Sequence, residues 1–127
     1  MTLAAILAVV LLVGIAAFQL ALALGAPWGA AAWGGQHPGV LPRRFRIASG
    51  VAAIVVYPLI IALVLAAAGM IGDGWLPVDA TLIMWSLAGL LGVGAVMNFV
   101  SRSPPERRWG AVALTIALCC VVIALGV

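Results

Sequence analysis

The sequence contains very little charge. Only 7% of its 127 residues are charged, whereas about a quarter of the residues of a soluble domain are. Lysine is absent, so all six basic residues are arginines, and three acidic residues leave a formal net charge of +3. The arginines lie in two clusters beside long apolar runs, where membrane topology explains them better than nucleic acid does. The composition therefore excludes a soluble domain and predicts no nucleic-acid partner.

Side chains that carry chemistry are equally scarce. The sequence has one histidine, His37, and two cysteines, Cys119 and Cys120, which are adjacent within an apolar run. No spacing matches a metal site, no glycine pair has the lysine of a phosphate loop, and no nucleophile has a base beside it. These absences predict a protein that is not an enzyme and holds no metal or cofactor. We interpret the cysteines as small buried apolar residues.

Apolar residues make up 67% of the chain, and the mean hydropathy is +1.35. They form four runs, at residues 2–24, 47–70, 81–100 and 109–127, each near the roughly 20 residues that a helix needs to cross a bilayer. The first run could also be a signal peptide, but it lacks a basic start and is too long. The sequence therefore predicts one all-α domain, residues 1–127, folded as a four-transmembrane-helix bundle.

A long Gly/Trp/Pro-rich loop separates the first two predicted helices, at residues 26–46. Its glycines and prolines prevent a continuous helix. Backbone without helical bonds is costly in lipid, so the loop must lie at the interface, fold back over the bundle, or re-enter where protein covers it. Trp28 and Trp33 suit the level of the lipid headgroups.

The distribution of charge predicts an orientation. The first and third loops contain every arginine, and the second loop has two aspartates and no base. By the positive-inside rule, the first and third loops are cytoplasmic and both termini lie outside. The arginine-only basic set and the abundant alanine and glycine suggest a bacterial genome of high GC content, so we expect the bacterial cytoplasmic membrane.

Gln19, Ser49 and Asn98 are predicted in the cytoplasmic half of their spans, where they could form a shallow pocket with the first loop. The candidate residues for binding a ligand or lipid are Gln19, Trp28, Trp33, Gln36, His37, Arg43, Arg44, Arg46, Ser49, Asn98 and Arg102. Arginines favour anions and aromatic rings favour an apolar body, so we expect an anionic or amphiphilic ligand. Structural roles remain open: Gln19 could join helices, His37 could be an interfacial residue, and the arginines could set orientation and touch anionic headgroups.

Two other features concern packing. Ala88, Gly89, Gly92 and Gly94 form a small-residue face on the third helix, on which another helix of this chain or of a second copy could pack closely. Pro58 interrupts the second span and predicts a kink, with a hinge or a ligand notch as the alternative. Asp79 precedes the third helix and is expected to cap it.

The acidic residues bear on transport. Asp73, Asp79 and Glu106 are all predicted in loops. Proton-coupled transport by small four-helix proteins depends on a carboxylate embedded in the membrane. The sequence therefore argues against that mechanism.

Two stretches, LALGAPWGAAAWGGQHPGVLPRRFRIASG and MNFVSRSPPERRWG, resemble segments of uncharacterised small four-helix membrane proteins of high-GC actinobacteria. The resemblance implies the four-span layout and a bacterial cytoplasmic membrane, and it implies no activity. We therefore expect a binding or accessory role, in which the arginine-lined face associates with membrane lipids, with further copies of the chain or with subunits of a membrane complex. The alternative is an oligomeric channel or facilitator for a small anionic or amphiphilic solute, with Gln19, His37, Tyr57 and Asn98 along its path.

Overall fold

Four long helices and no strands make up the fold. The computed structural model describes all 127 residues. The helices are α1 (Thr2–Ala23), α2 (Arg43–Ala67), α3 (Ala80–Phe99) and α4 (Pro104–Leu125), and each is long and apolar enough to cross a membrane. The predicted all-α fold with four membrane-length helices is confirmed.

Two helices begin earlier than predicted. Helix α2 starts at Arg43 and α4 at Pro104, whereas the apolar runs predicted starts at residues 47 and 109. Hydropathy marks only where a helix is apolar, and backbone hydrogen bonding continues into the charged residues before it. Pro104 and Pro105 occupy the first turn of α4, where a missing N–H costs nothing. The assignment of Glu106 to a loop was therefore wrong.

The predicted interruption of α2 takes the form of a π-helical turn. Residues Ala52–Val56 form this turn immediately before Pro58, and the N–H of Tyr57 donates to the carbonyl of Ala52. Such a turn widens a helix locally and is frequent at functional sites. At the start of α3, Thr81 N donates to Asp79 Oδ1 at 2.8 Å, so the predicted cap is confirmed.

The first and third loops meet at one end of the bundle, which we call the arginine end because both arginine clusters lie there. The aspartate end is the opposite one, with the loop containing Asp73 and Asp79. The main core belongs to the aspartate half, and its buried residues are Ala5, Ala8, Leu12, Ile60, Val64, Met84, Leu87, Ile116, Cys119, Cys120 and Ile123. The two cysteines are thus buried and unbridged.

Helix α3 packs chiefly against α4. Near the arginine end, the ring of Phe99 lies against Gly110. A Cβ atom at Gly110 would come within 2.8 Å of that ring. Contact between α3 and α2 is much less extensive, so the bundle is less tightly closed on that side.

The first loop folds back over the arginine end. It contains two short 3-10 turns, Gly29–Ala31 and Trp33–Gly35. Gly29 N donates to Gly39 O at 2.8 Å, and a Cβ at Gly29 would lie only 1.9 Å from the carbonyl oxygen of His37. The loop can therefore cross itself only because residue 29 is a glycine. Leu22, Ala32 and Leu41 form a second small core beneath it.

Candidate ligand-binding cavity

A cavity of about 790 Å³ lies at the arginine end, lined by all four helices and by the first loop. Its size falls within the roughly 300–1,000 Å³ of known small-molecule sites. Of its 20 lining residues, 12 are hydrophobic. The polar and charged ones are Gln19, Gln36, Asn98, Ser101, Arg102 and Glu106, and the hydroxyl of Tyr57 adds a further polar group. A mainly apolar wall with a few polar groups is the usual composition of a ligand site.

The first loop forms a roof that is fastened to the helices beneath it. Trp33 Nε1 donates to Ser49 Oγ on α2 at 3.0 Å, and Ser49 is fully buried. The Ser103 hydroxyl, at the start of α4, donates to the carbonyl of Ala30. Trp33 has a φ of +52°, a left-handed conformation that is strained for a bulky residue. The hydrogen bond to Ser49 and the packing of the indole on Phe45, with ring centroids 5.4 Å apart, hold it there.

Aromatic rings connect the end of α1 to the beginning of α4. The Phe18 ring lies 4.9 Å from the ring of Trp109, centroid to centroid. Phe18 also stacks on a second ring, that of Trp28, which lies almost parallel to it with the centroids 6.2 Å apart. Gln19 and Glu106 therefore lie at a similar level of the bundle, because each is close in sequence to one partner of the Phe18–Trp109 pair.

Glu106 is the most unusual residue of the cavity. Only 7% of its surface is exposed, and its Oε2 atom is buried without a hydrogen-bond partner. The Oε1 atom of Gln19 is buried and unpartnered in the same way. Buried polar atoms are nearly always paired in proteins, and an unpaired one costs about 1–3 kcal/mol, more if charged. Two such atoms beside one cavity indicate that a ligand or water supplies their partners.

The sequence Ser103-Pro-Pro-Glu106 has the pattern of a capping box, in which the glutamate would bond to the N–H of the serine. The structure does not form it. The Ser103 N–H donates to Ser101 Oγ at 3.1 Å, and the Ser103 hydroxyl is used by Ala30. Helix α4 consequently has no side-chain cap. The carboxylate of Glu106 therefore makes no capping bond, and it borders the cavity.

Five of the eleven predicted site residues line the cavity. They are Gln19, Trp33, Gln36, Asn98 and Arg102. Ser49 lies outside it but bonds to the roof. Trp28 stands behind Phe18. His37 packs on Phe45, with ring centroids 5.0 Å apart, away from the cavity.

The arginines of α2 occupy a separate place. Arg43 and Arg46 border a smaller pocket with Ala23 and Ile47. Arg46 Nε donates to the carbonyl of Ala23 at 3.2 Å, where the C-terminal end of α1 carries a partial negative charge. Arg44 is exposed, and its guanidinium lies 4.8 Å from the centre of the Phe45 ring. The arginines predicted to share one pocket are therefore divided, and Arg102 alone lines the main cavity.

Sequence reasoning missed Glu106, Trp109 and Ser101. The capping-box pattern was the signal that could have placed the start of α4 at Ser103 and Glu106 within the helix. From there, Glu106, Trp109 and Ala113 follow at helical spacing on one face, and all three line the cavity.

The cavity opens toward the side of the bundle. At its border, Leu90 is 64% and Met97 66% exposed, and the neighbouring Gly94 has no atom within 4 Å of a Cβ built on it. These residues lie in the apolar length of α3, where a bilayer would surround the helix. An apolar chain could therefore enter from lipid.

The predicted small-residue face is open within this chain only at its glycines. Ala88 packs against the main core. Gly89, Gly92 and Gly94 have no neighbouring atom within 4 Å of a Cβ position. Larger side chains would fit at these glycines without a clash, which makes them useful positions for testing the cavity.

Comparison of the chain with protein-family models, with curated proteins and with solved structures gives no significant match. The fold and the cavity together define a small helical protein with four membrane-length helices and a laterally open site at one end.

Proposed function

We propose that this protein is an integral membrane protein that binds an amphiphilic molecule in the cavity at its arginine end. The observation that carries the proposal is the cavity itself: its border is apolar and exposed at Leu90 and Met97, while Gln19 and Glu106 present unpartnered buried acceptors. An apolar body and a polar group on one molecule would match these two parts.

The structure of the aspartate half supports binding over permeation. Beyond the cavity, the interior is filled by apolar side chains such as Leu12, Met84 and Ile116, all fully buried. A polar solute would meet no polar partner there. A path through the membrane would therefore have to form between copies of the chain, as the alternative of an oligomeric facilitator requires.

The proposal places the arginine end in the cytoplasm of a bacterium. Six arginines against none in the loop of Asp73 and Asp79 is the asymmetry that the positive-inside rule uses. In that orientation, Arg43 and Arg46 lie at the inner headgroup level, and their pocket suits the phosphate of an anionic lipid. Each basic side chain near such a surface contributes on the order of 1 kcal/mol.

Tryptophan quenching tests whether an acyl chain enters the cavity. Replacing Trp28, Trp75 and Trp85 by Phe leaves Trp33 and Trp109, both of which line the cavity. In nanodiscs of phosphatidylcholine with brominated acyl chains, we expect strong quenching of these two indoles. Gly94→Phe should fill the cavity and reduce the quenching. Gly89→Phe is the matched control, because it lies on the same helix in open space and outside the cavity.

Equal quenching in the Gly94→Phe and Gly89→Phe proteins would show that lipid reaches the indoles only from outside the cavity, and the proposal would be wrong.

The orientation of the protein in the membrane needs a separate test. In a background with Cys119 and Cys120 replaced by Ala, an impermeant maleimide should label Gly74→Cys in intact cells and Arg108→Cys only after lysis. The reverse pattern would refute the proposed topology.

A further inference from the structure

We propose that the cavity selects a primary ammonium group carried on an apolar body, with Glu106 as the anionic partner of that ammonium. The inference rests on the proposed binding function and adds the chemistry of the polar group. It replaces the anionic ligand expected from the arginines with a cationic one, because the charged group buried in the cavity is a carboxylate.

The charge of Glu106 needs a partner. With 7% of its surface exposed, its carboxylate has lost most of its water, and a charge in such a place is costly unless it is paired and hydrogen-bonded. Oε2 has no partner within the chain. The N-terminal turn of α4 carries a partial positive charge, which favours a carboxylate there. This partial charge does not supply the N–H donor that Oε2 lacks. A cation that donates N–H bonds would satisfy both needs.

The nearby basic side chains do not bind the carboxylate of Glu106. Arg107 Nη1 donates to the carbonyl of Ser101 at 3.2 Å and to that of Arg102 at 3.5 Å, so its guanidinium is held by the third loop. Arg102 lines the cavity but is exposed. The buried carboxylate is therefore accessible to a cation that comes from outside the chain.

Gln19 presents a second unpartnered acceptor, its Oε1 atom, at the same cavity. An ammonium group has three N–H donors, so it could bond to both residues at once. The Gln19 amide could turn to present its NH₂ group, whereas an ionised carboxylate can only accept. Glu106 therefore sets the preference for a donor cation, and Gln19 strengthens it.

Binding of an ammonium group by Glu106 can be distinguished from a role in capping helix α4. The alternative use of Glu106, as the second member of a capping box, is not made, because Ser101 occupies the N–H of Ser103. Glutamine serves in a capping box as well as glutamate does. Glu106→Gln therefore preserves any capping role and the side-chain shape, removes the charge and replaces one acceptor oxygen by an NH₂ donor.

The experiment compares two probes of equal chain length, dodecylammonium and dodecyltrimethylammonium, in phosphatidylcholine nanodiscs. Both are cations, but only the first has N–H donors. Binding is followed by the fluorescence of Trp33 and Trp109 in the protein with no other tryptophan, and its Gly94→Phe variant is measured in parallel. We expect the wild type to prefer dodecylammonium at least about tenfold, the lower end of the range given by hydrogen bonds to a charged group. Glu106→Gln should remove this preference, and Gln19→Leu should reduce it.

A second arm identifies the source of the ammonium. If phosphatidylethanolamine replaces part of the phosphatidylcholine and displaces dodecylammonium, the group comes from a membrane lipid. If it does not, the site takes free hydrophobic amines. Either result keeps Glu106 as the contact.

The outcomes also separate this inference from the proposed function. Equal binding of both probes in the wild type and in Glu106→Gln, with loss of both in Gly94→Phe, would overturn ammonium selection and leave amphiphile binding intact. Loss of brominated-lipid quenching and of probe binding in the wild type itself would refute both proposals.

Discussion

The two ends of the bundle differ in how their interiors are filled. At the aspartate end, all four helices contribute apolar side chains to one core, and Leu12, Val64, Met84, Ile116 and Cys120 in it are essentially inaccessible. At the arginine end, the same four helices enclose a cavity of about 790 Å³ in which buried polar atoms lack partners. One half has the packing of a scaffold, and the other has the properties of a site.

The difference has a cause in the sequence. Near the aspartate end, facing positions carry aliphatic or sulfur-containing residues that interlock. Near the arginine end, the cavity wall includes Gly94 on α3 and Ala52 in the π-helical turn of α2, where larger residues would have closed the gap. The small residues in the wall leave a volume that Trp33 of the roof then covers.

The largest expected effect is on the scaffold. Leu12→Ala removes a fully buried side chain from the main core, and such substitutions cost about 2–5 kcal/mol because a cavity remains. Leu3→Ala is the control, since Leu3 on the same helix is 82% exposed and would face lipid. Unfolding by dodecyl sulfate in mixed micelles should show a large loss for the first variant and little for the second. Similar losses for both would contradict the assignment of the core.

The next effect concerns the α3–α4 contact. Gly110→Val would drive a side chain into the ring of Phe99, which already lies 2.8 Å from the Cβ position, and overpacking typically costs about 1–3 kcal/mol. Gly89→Val, in open space on α3, should leave the free energy of unfolding nearly unchanged. The same measurement in mixed micelles distinguishes the two. A Gly110→Val protein as stable as Gly89→Val would contradict a fixed contact between Gly110 and the Phe99 ring.

A smaller effect is expected at the roof. Trp33→Phe keeps an aromatic ring but loses the bond to Ser49, worth about 0.5–1.5 kcal/mol. Trp28→Phe is matched in chemistry and loses no hydrogen bond to the helices. Amide hydrogen exchange should become faster in residues 29–41 of the first variant alone, with the helices unchanged. If both variants exchange alike, the roof is held by other contacts.

The smallest effect is expected at the end of α1. Arg46→Gln removes the bond from Nε to Ala23 O, and a cation near a helix C-terminus contributes about 0.3–1 kcal/mol. Arg43→Gln, almost one turn earlier on α2, removes a charge without that bond. The first substitution should lower stability in mixed micelles slightly more than the second, and the difference should shrink at high salt. A larger loss for Arg43→Gln would contradict the proposed contact.

The aspartate half could be predicted from the sequence more fully than the arginine half. Apolar runs alone located α1 and α3 to within a residue or two at each end, because lipid-facing helices carry their signal in composition. Helices α2 and α4 begin in charged residues, where hydropathy says nothing about hydrogen bonding, and both starts were placed too late. Asp79 was predicted correctly because capping depends only on neighbouring residues.

The site could be predicted only in part, for a related reason. Counting residues from the predicted helix ends was sufficient to place Gln19 and Asn98 at one level of the bundle, and both do line the cavity. Such counting could not show that Trp33 turns toward Ser49 or that Arg46 binds the end of α1, since both depend on how the first loop folds. Glu106 was missed because its charge suggested a loop, although the pattern from Ser103 to Glu106 indicated a helix start.

Native mass spectrometry of the protein released directly from membranes tests the central claim most directly. We predict that the wild type and Gly89→Phe retain one amphiphile-sized molecule under gentle activation, and that Gly94→Phe, with its cavity filled, does not. A wild-type protein that carries no bound molecule, or a Gly94→Phe protein that carries the same one, would contradict the assignment of the cavity as a binding site.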